Sequence, residues 1–271
     1  MFGSHLQRSP CHGFVRPVLL PLKVLLVPTF LLLLTLVGRY FGPRMAGWLA
    51  GLPVVAGPIL FVIALENGSP FAAAAATAST AAVFASVAFG LAYAHAAKRY
   101  TWPVALTAAL LAWTLAASAL ALLPRDPWLS LAVALATLTL APAAFPAAVP
   151  ETRSPSLSIA QVLLRMGAGA ALTLAVSAIA ATVGSRWSGL LAVFPVLGIV
   201  LAVFSHRAHG AAFASALLRA MATGLYSFAA FCSVLALALQ HTTVPAAFAI
   251  AAGTAIAVQA ATRRQLTLRP S

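Results

Sequence analysis

Carboxylates are almost missing from this sequence: Glu66, Asp126 and Glu151 are the only three among 271 residues, against 16 lysines and arginines. Three isolated carboxylates, all close to expected turns, are too few for the acid chemistry of an ATP-driven pump or a membrane hydrolase. Charge of either sign is scarce, at 7% of residues, where a soluble domain carries about a quarter. This excludes an ordinary hydrated surface. Only two cysteines occur, Cys11 in a polar N-terminal stretch and Cys232 in an apolar run, which excludes a disulfide framework. Also missing are HExxH, a GxSxG elbow, a glycine-rich phosphate loop and paired aspartates. No enzymatic activity, cofactor or metal site is expected.

What remains is apolar. Hydrophobic residues make up 62% of the chain, in long runs such as VLLVPTFLLLLTLV at 24–37 and the uncharged stretch from Pro103 to Leu123. Roughly 20 apolar residues suffice for a helix to cross a bilayer, and the runs lack the alternation of membrane β-strands. The fold class is therefore an all-α integral membrane protein with the lipid bilayer as its partner. The net charge of +13 does not indicate nucleic acid, because the basic residues stand singly between apolar runs and not on one aromatic-studded face. They read as charges flanking spans.

Apolar runs with proline and glycine punctuation predict nine spans, at about 18–38, 46–65, 71–97, 103–123, 128–149, 159–183, 187–205, 212–239 and 244–261. The polar link PETRSPS at 150–156 is the clearest internal boundary. Residues 1–16 are expected to form a disordered tail and 263–271 a basic one.

Two stretches resemble each other: GPRMAGWLAGLPVV at 42–55 and GSRWSGLLAVFPVL at 184–197. At a constant offset of 142, Gly42, Arg44, Gly47, Pro53, Gly68, Phe71, Phe89 and Pro103 meet Gly184, Arg186, Gly189, Pro195, Gly210, Phe213, Phe231 and Pro245. Shared glycine, proline and arginine in one register exceed what apolar composition alone produces. The expectation is an internal repeat, 17–125 (spans 1–4) and 158–262 (spans 6–9), joined by span 5 and a polar loop at 126–157. The second unit starts five spans after the first. Five is odd, so equivalent helices should run in opposite directions, an inverted-topology repeat. Loop charges place Arg39, Arg44, Lys98, Arg99, Arg153, Arg207, Arg263, Arg264 and Arg269 on one side and Arg8, Arg16, Lys23, Arg125 and Arg186 on the other. The richer side should be cytoplasmic, with the N-terminus outside and the C-terminus inside.

Spans 2 and 7 share G-x-R-x-x-G-x-L-A-x-x-P-V. Pro53 and Pro195 should interrupt their helices, either as packing kinks or to expose backbone to a ligand. Gly57 and Gly198 add weakness beside them. Gly47 and Gly51 form a GxxxG pattern that suits close helix contact. Arg165 and Arg219 lie about two turns inside their spans, where a charge must snorkel, pair or be wetted. Glu66 ends span 2, and His206 and His209 flank the corresponding position of span 7. Two histidines without a third ligand make a poor metal site. The substrate-pathway candidates are thus Pro53, Gly57, Glu66, Arg165, Pro195, Gly198 and Arg219.

The stretches GPRMAGWLAGLPVVAGP and SGLLAVFPVLGIVLAVFSHR resemble an uncharacterised family of bacterial multispanning inner-membrane proteins, and the second is distantly similar to small GlpM-type membrane proteins. The resemblance implies a bacterial inner membrane and brings no substrate or site residues. The repeat with paired prolines suggests a transporter-like permease for a small polar substrate or ion. The alternative is a non-transporting scaffold or accessory subunit that binds partner helices; either is compatible with a homo-oligomer.

Overall fold

The computed structural model describes residues 19–146, 158–182 and 194–268. The expected N-terminal tail, Arg153, and the first half of span 7 with Gly184, Arg186, Gly189 and Leu191 lie outside the described residues, whereas residues 263–268 of the expected basic C-terminal tail are helical and continue the last span. Ten helices follow one another there: α1 (Leu19–Ala50), α2 (Ala56–Asn67), α3 (Ser69–Ala81), α4 (Val83–Ala96), α5 (Trp102–Leu120), α6 (Pro127–Ala144), α7 (Ile159–Thr182), α8 (Val196–His209), α9 (Ala211–Ala238) and α10 (Val244–Leu268).

Local chemistry sets several starts. Pro70, Pro103 and Pro127 stand in the first turns of α3, α5 and α6, where a missing N–H leaves nothing unpaired. Asp126 caps α6 by accepting the Leu129 N–H at 2.7 Å. Ser158 and Gln161 open α7 with reciprocal bonds, each 3.2 Å, a capping box. Within the apolar helices, Thr77, Ser79 and Thr80 donate to carbonyls four residues back.

Seven helical stretches are long and apolar enough to cross a membrane, including 69–96, where α3 and α4 form one rod. Its ladder continues through Ala82, whose N–H reaches the Ala78 carbonyl and whose carbonyl accepts from Ser86, both at 3.0 Å. The sequence predicts nine spans; the other two, spans 2 and 7, fall on the short helices α2 and α8, of 12 and 14 residues. Span 2 is shortened by a real break: residues 51–55 are not helical. It is also preceded by a reversal. Gly42 (φ 84°, ψ 172°) interrupts α1, and a Cβ on Gly38 would lie 3.5 Å from that of Ala46. Eight residues along a straight helix span about 12 Å, so the chain doubles back at Gly42. Span 2 is thus an arm, 43–50, a five-residue break, and α2.

The α3–α4 rod and α9 form the centre, with half or more of their span residues buried, against about a quarter or less for α5, α6, α7 and α10. These two long elements run antiparallel: Thr80 meets Ser233 at 3.4 Å, whereas a Cβ on Gly90 would lie 3.9 Å from that of Leu218. The 43–50 arm and α9 run parallel, with Gly47 against the Leu217 backbone and Gly51 against Gly224. Here main chain touches main chain, which only glycine allows. α7 opposes the first arm of α1: Gly169 packs on Val27 and Leu31, and Arg165 lies deeper toward Thr35 and Gly38. Leu111, Leu115, Leu140, Leu163 and Ile256 point outward, each more than half exposed, as a lipid-facing surface requires.

Several positions 142 residues apart share local backbone geometry. Gly68 (φ 85°, ψ 164°) ends α2 and Gly210 (φ 87°, ψ 174°) ends α8. Residues 69–96 correspond to α9, 211–238. Pro53 accepts from Gly57 at 2.7 Å, as Pro195 does from Ile199 at 2.9 Å. Phe231 borders Gly57, and Phe89 borders Gly198, both at 3.5 Å from a built Cβ.

The glycine contact gives a prediction. Gly224→Val should wedge the 43–50 arm off α9, because any side chain there meets the Trp48 carbonyl; overpacking of this kind costs about 1–3 kcal/mol or more. Gly253→Ala, with nothing within 4 Å, should be neutral. Thermal unfolding of the two purified variants in detergent checks this; equal midpoints would contradict the close packing.

Candidate functional site

The break at 51–55 exposes backbone only briefly. The carbonyl four residues before Pro53, that of Leu49, which a proline there deprives of its helical donor, accepts from the Leu52 N–H at 3.0 Å. The Trp48 carbonyl accepts from Gly51 at 3.3 Å and from the Gln259 Nε2 at 3.0 Å. Trp48 Nε1 in turn donates to Thr262 Oγ1 at 3.1 Å, and that hydroxyl donates to the Gln259 carbonyl at 3.0 Å. α10 therefore adds a side-chain donor at the broken end of the helix, while Gln259 Oε1 stays buried without a partner. Pro195, buried at the start of α8, borders a cavity of about 10 Å³ with Gly198, Phe89 and Phe145. Pro53 does not line it. α9 passes between the two breaks, with Gly224 toward Gly51 and Ala222 toward Pro195, so the prolines do not form one site.

Of the other candidates, Glu66 is half-buried near the C-terminal end of α2, at the opposite end of the bundle from Arg219. Arg219 is partly buried, and its Nη1 donates to the Pro146 carbonyl at 3.1 Å, just past the end of α6. Gly57 and Gly198 are buried against phenylalanine rings.

Arg165 is different. It is only 4% exposed and does not snorkel, because α8 and the first arm of α1 close over it. Its Nη2 reaches the Phe204 carbonyl at a long 3.5 Å, its guanidinium sits 5.9 Å from the Phe204 ring centre, and its Nε has no hydrogen-bond partner. It lines a second cavity of about 10 Å³ with Thr35, Gly38, Arg39, Ser205 and His209, walled by Leu201, Phe213 and Leu217. Thr35 Oγ1 and His209 Nδ1 are also buried without partners. No carboxylate among the described residues faces these groups. The capping box at Ser158 and Gln161 fixes where α7 begins, and Arg165 follows about 9 Å along its axis.

Thr35 and Ser205 were not among the sequence candidates. Each is a lone hydroxyl in an apolar run, LLLLTLV and LAVFSH, and only the packing of α1 on α8 joins them. The histidines part ways: the Tyr93 hydroxyl and His206 Nδ1 lie 3.2 Å apart, while the His209 ring tilts onto Phe213 at 4.5 Å. His95 Nε2 meets the Ala144 carbonyl at 2.9 Å. No family model, curated protein or solved structure matches the chain, so geometry alone carries the functional reading.

The Arg219 contact is testable. Arg219→Leu would leave the Pro146 carbonyl without this donor, at a cost of about 1–3 kcal/mol, while Arg219→Lys keeps a donor and should lose less. Thermal midpoints of the two variants check this, and equal values would contradict the role given to the guanidinium.

Proposed function

We propose that this chain is a transporter-like permease of the bacterial inner membrane, built from two inverted repeats, 17–125 and 158–262, joined by the span and loop at 126–157. Support for inversion comes from direction. Residues 69–96 and their counterparts 211–238 pack antiparallel, as do the first arm of α1 and α7. The 43–50 arm and α2 both run parallel to α9, with Gly47 near Leu217 and Gly57 near Phe231. Span 2 thereby reads as one crossing made of two pieces and not a re-entrant loop, and α8 as part of its counterpart. That reading returns the count to nine and makes the two units opposite in direction. Discontinuous helices beside a repeat interface are a common architecture of secondary transporters.

Charge supports an orientation. Arg39, Arg44, Lys98, Arg99, Arg207 and the buried Arg165 gather toward the Gly42 and Gly210 end, while Glu66 and Asp126 lie at the other. The basic end is the cytoplasmic one, leaving the N-terminus outside.

The observation that carries transport is the Arg165 cavity. Both units line it, it is polar inside an apolar bundle, and it holds a charge that a scaffold has no use for. A buried ionisable group at membrane depth is costly and marks a pathway by default. At about 10 Å³ the cavity has room for little more than one water-sized particle, so the permease must widen there. A scaffold that only binds partner helices would stay shut.

Ser205→Cys separates the two. Ser205 is 1% exposed. In membranes, a permease should let a hydrophilic thiol reagent reach Cys at 205 slowly from the cytoplasmic side, in a background lacking Cys11 and Cys232. Complete inertness over hours, with full reaction in denaturant, would favour the scaffold.

A further inference from the structure

We propose that the Arg165 cavity is a binding site for a single small anion of the halide class. Its transport role, as substrate or coupling ion, rests on the permease reading; its binding does not.

The chemistry of the lining selects sign. Arg165 is buried and its Nε–H has no partner; the Thr35 hydroxyl is likewise buried and unpaired. The Ser205 hydroxyl adds a third donor, and Arg39 stands at the rim as a second positive charge. The remaining polar atom, His209 Nδ1, is a donor or acceptor according to tautomer. Of the chain's three carboxylates, Glu66 and Asp126 lie at the far end of the bundle, and Glu151 is outside the described residues. The Phe204 carbonyl, at 3.5 Å, is the sole acceptor that Arg165 has among the described residues. A buried guanidinium with a free Nε–H and no carboxylate among the described residues, beside the unpaired Thr35 hydroxyl, forms a site in want of negative charge.

The cavity size selects the anion. About 10 Å³ is close to what one water-sized particle needs. A monatomic anion enters with little adjustment. Phosphate and sulfate carry four oxygens around a centre and need the walls to part. A lipid phosphate could reach exposed Arg39 at the mouth but would have to leave its ester chain between Leu201 and Leu217.

The test uses the purified full-length protein in detergent. Sodium chloride replaces sodium gluconate at constant ionic strength, and thermal unfolding is followed. Ligand binding to the folded state alone raises the midpoint; at a hundredfold excess over Kd the rise should be about 5 °C or more. The rise should saturate, disappear in Arg165→Gln and shrink in Thr35→Val and Ser205→Ala. Where Arg165→Gln does not fold, the two hydroxyl variants decide. An equal chloride response in all variants would overturn the site. So would a response to phosphate, sulfate or added anionic lipid with none to chloride. Radiolabelled chloride uptake into proteoliposomes separates the two readings: a chloride shift lost in the variants, without uptake, leaves the site standing and removes the permease.

Discussion

A peptide group inside a hydrocarbon layer must find its hydrogen bond within the protein, and the rest of this structure follows from how that demand is met at the break in span 2. Pro53 and its neighbours stop the helix at Ala50. Short turn bonds from Gly51 and Leu52 take up two carbonyls, and Gln259 reaches across from α10 to the Trp48 carbonyl. For Gln259 to arrive, the 43–50 arm must lie close to the centre. Gly47, Gly51 and Gly224 make that approach possible by bringing main chain against main chain. The break, the glycine contact and the α10 side-chain network are one arrangement.

The same arrangement creates the site. Doubling back at Gly42 folds the 43–50 arm against the first arm of α1, and α8 closes the other wall. Arg165 is trapped between them. The polar cluster is unequal between the proposed units. At the offset of 142, Ser205 corresponds to Ile63, His209 to Asn67 and Arg165 to Lys23. On the proposed reading, a duplicated frame therefore lines the Arg165 cavity with some side chains that the two units do not share, Ser205 against Ile63 among them. This is how a symmetric scaffold can still bind a ligand asymmetrically.

The sequence made much of the frame legible, for a physical reason: helices in lipid need long apolar runs, and glycine and proline punctuate them. Span 6, expected at 159–183, is α7 at 159–182, and span 8, expected at 212–239, is α9 at 211–238. The paired glycines 68 and 210 announce turns because each adopts φ near +85°. The reversal at Gly42 was harder to see, since seven residues between spans 1 and 2 suggested a loop where one glycine suffices. The prolines marked the break but not its partners, because Gln259 lies 211 residues from Trp48. Arg165 could be flagged by depth. Whether it snorkels depends on what lies over it, and α8 and α1 arrive only through tertiary packing. Thr35 and Ser205 gave no periodic or motif signal at all.

The central claim is that corresponding elements of the two units run in opposite directions across the bilayer. Pro70 and Ala212 are equivalent at the offset of 142, exposed, and each just past a turning glycine. Single cysteines placed at these two positions, in a background lacking the native thiols, can be labelled in intact cells with a membrane-impermeant reagent. The account predicts labelling of the cysteine at 70 from outside and of that at 212 only after the cytoplasmic face is opened. Labelling of both from the same side would contradict it.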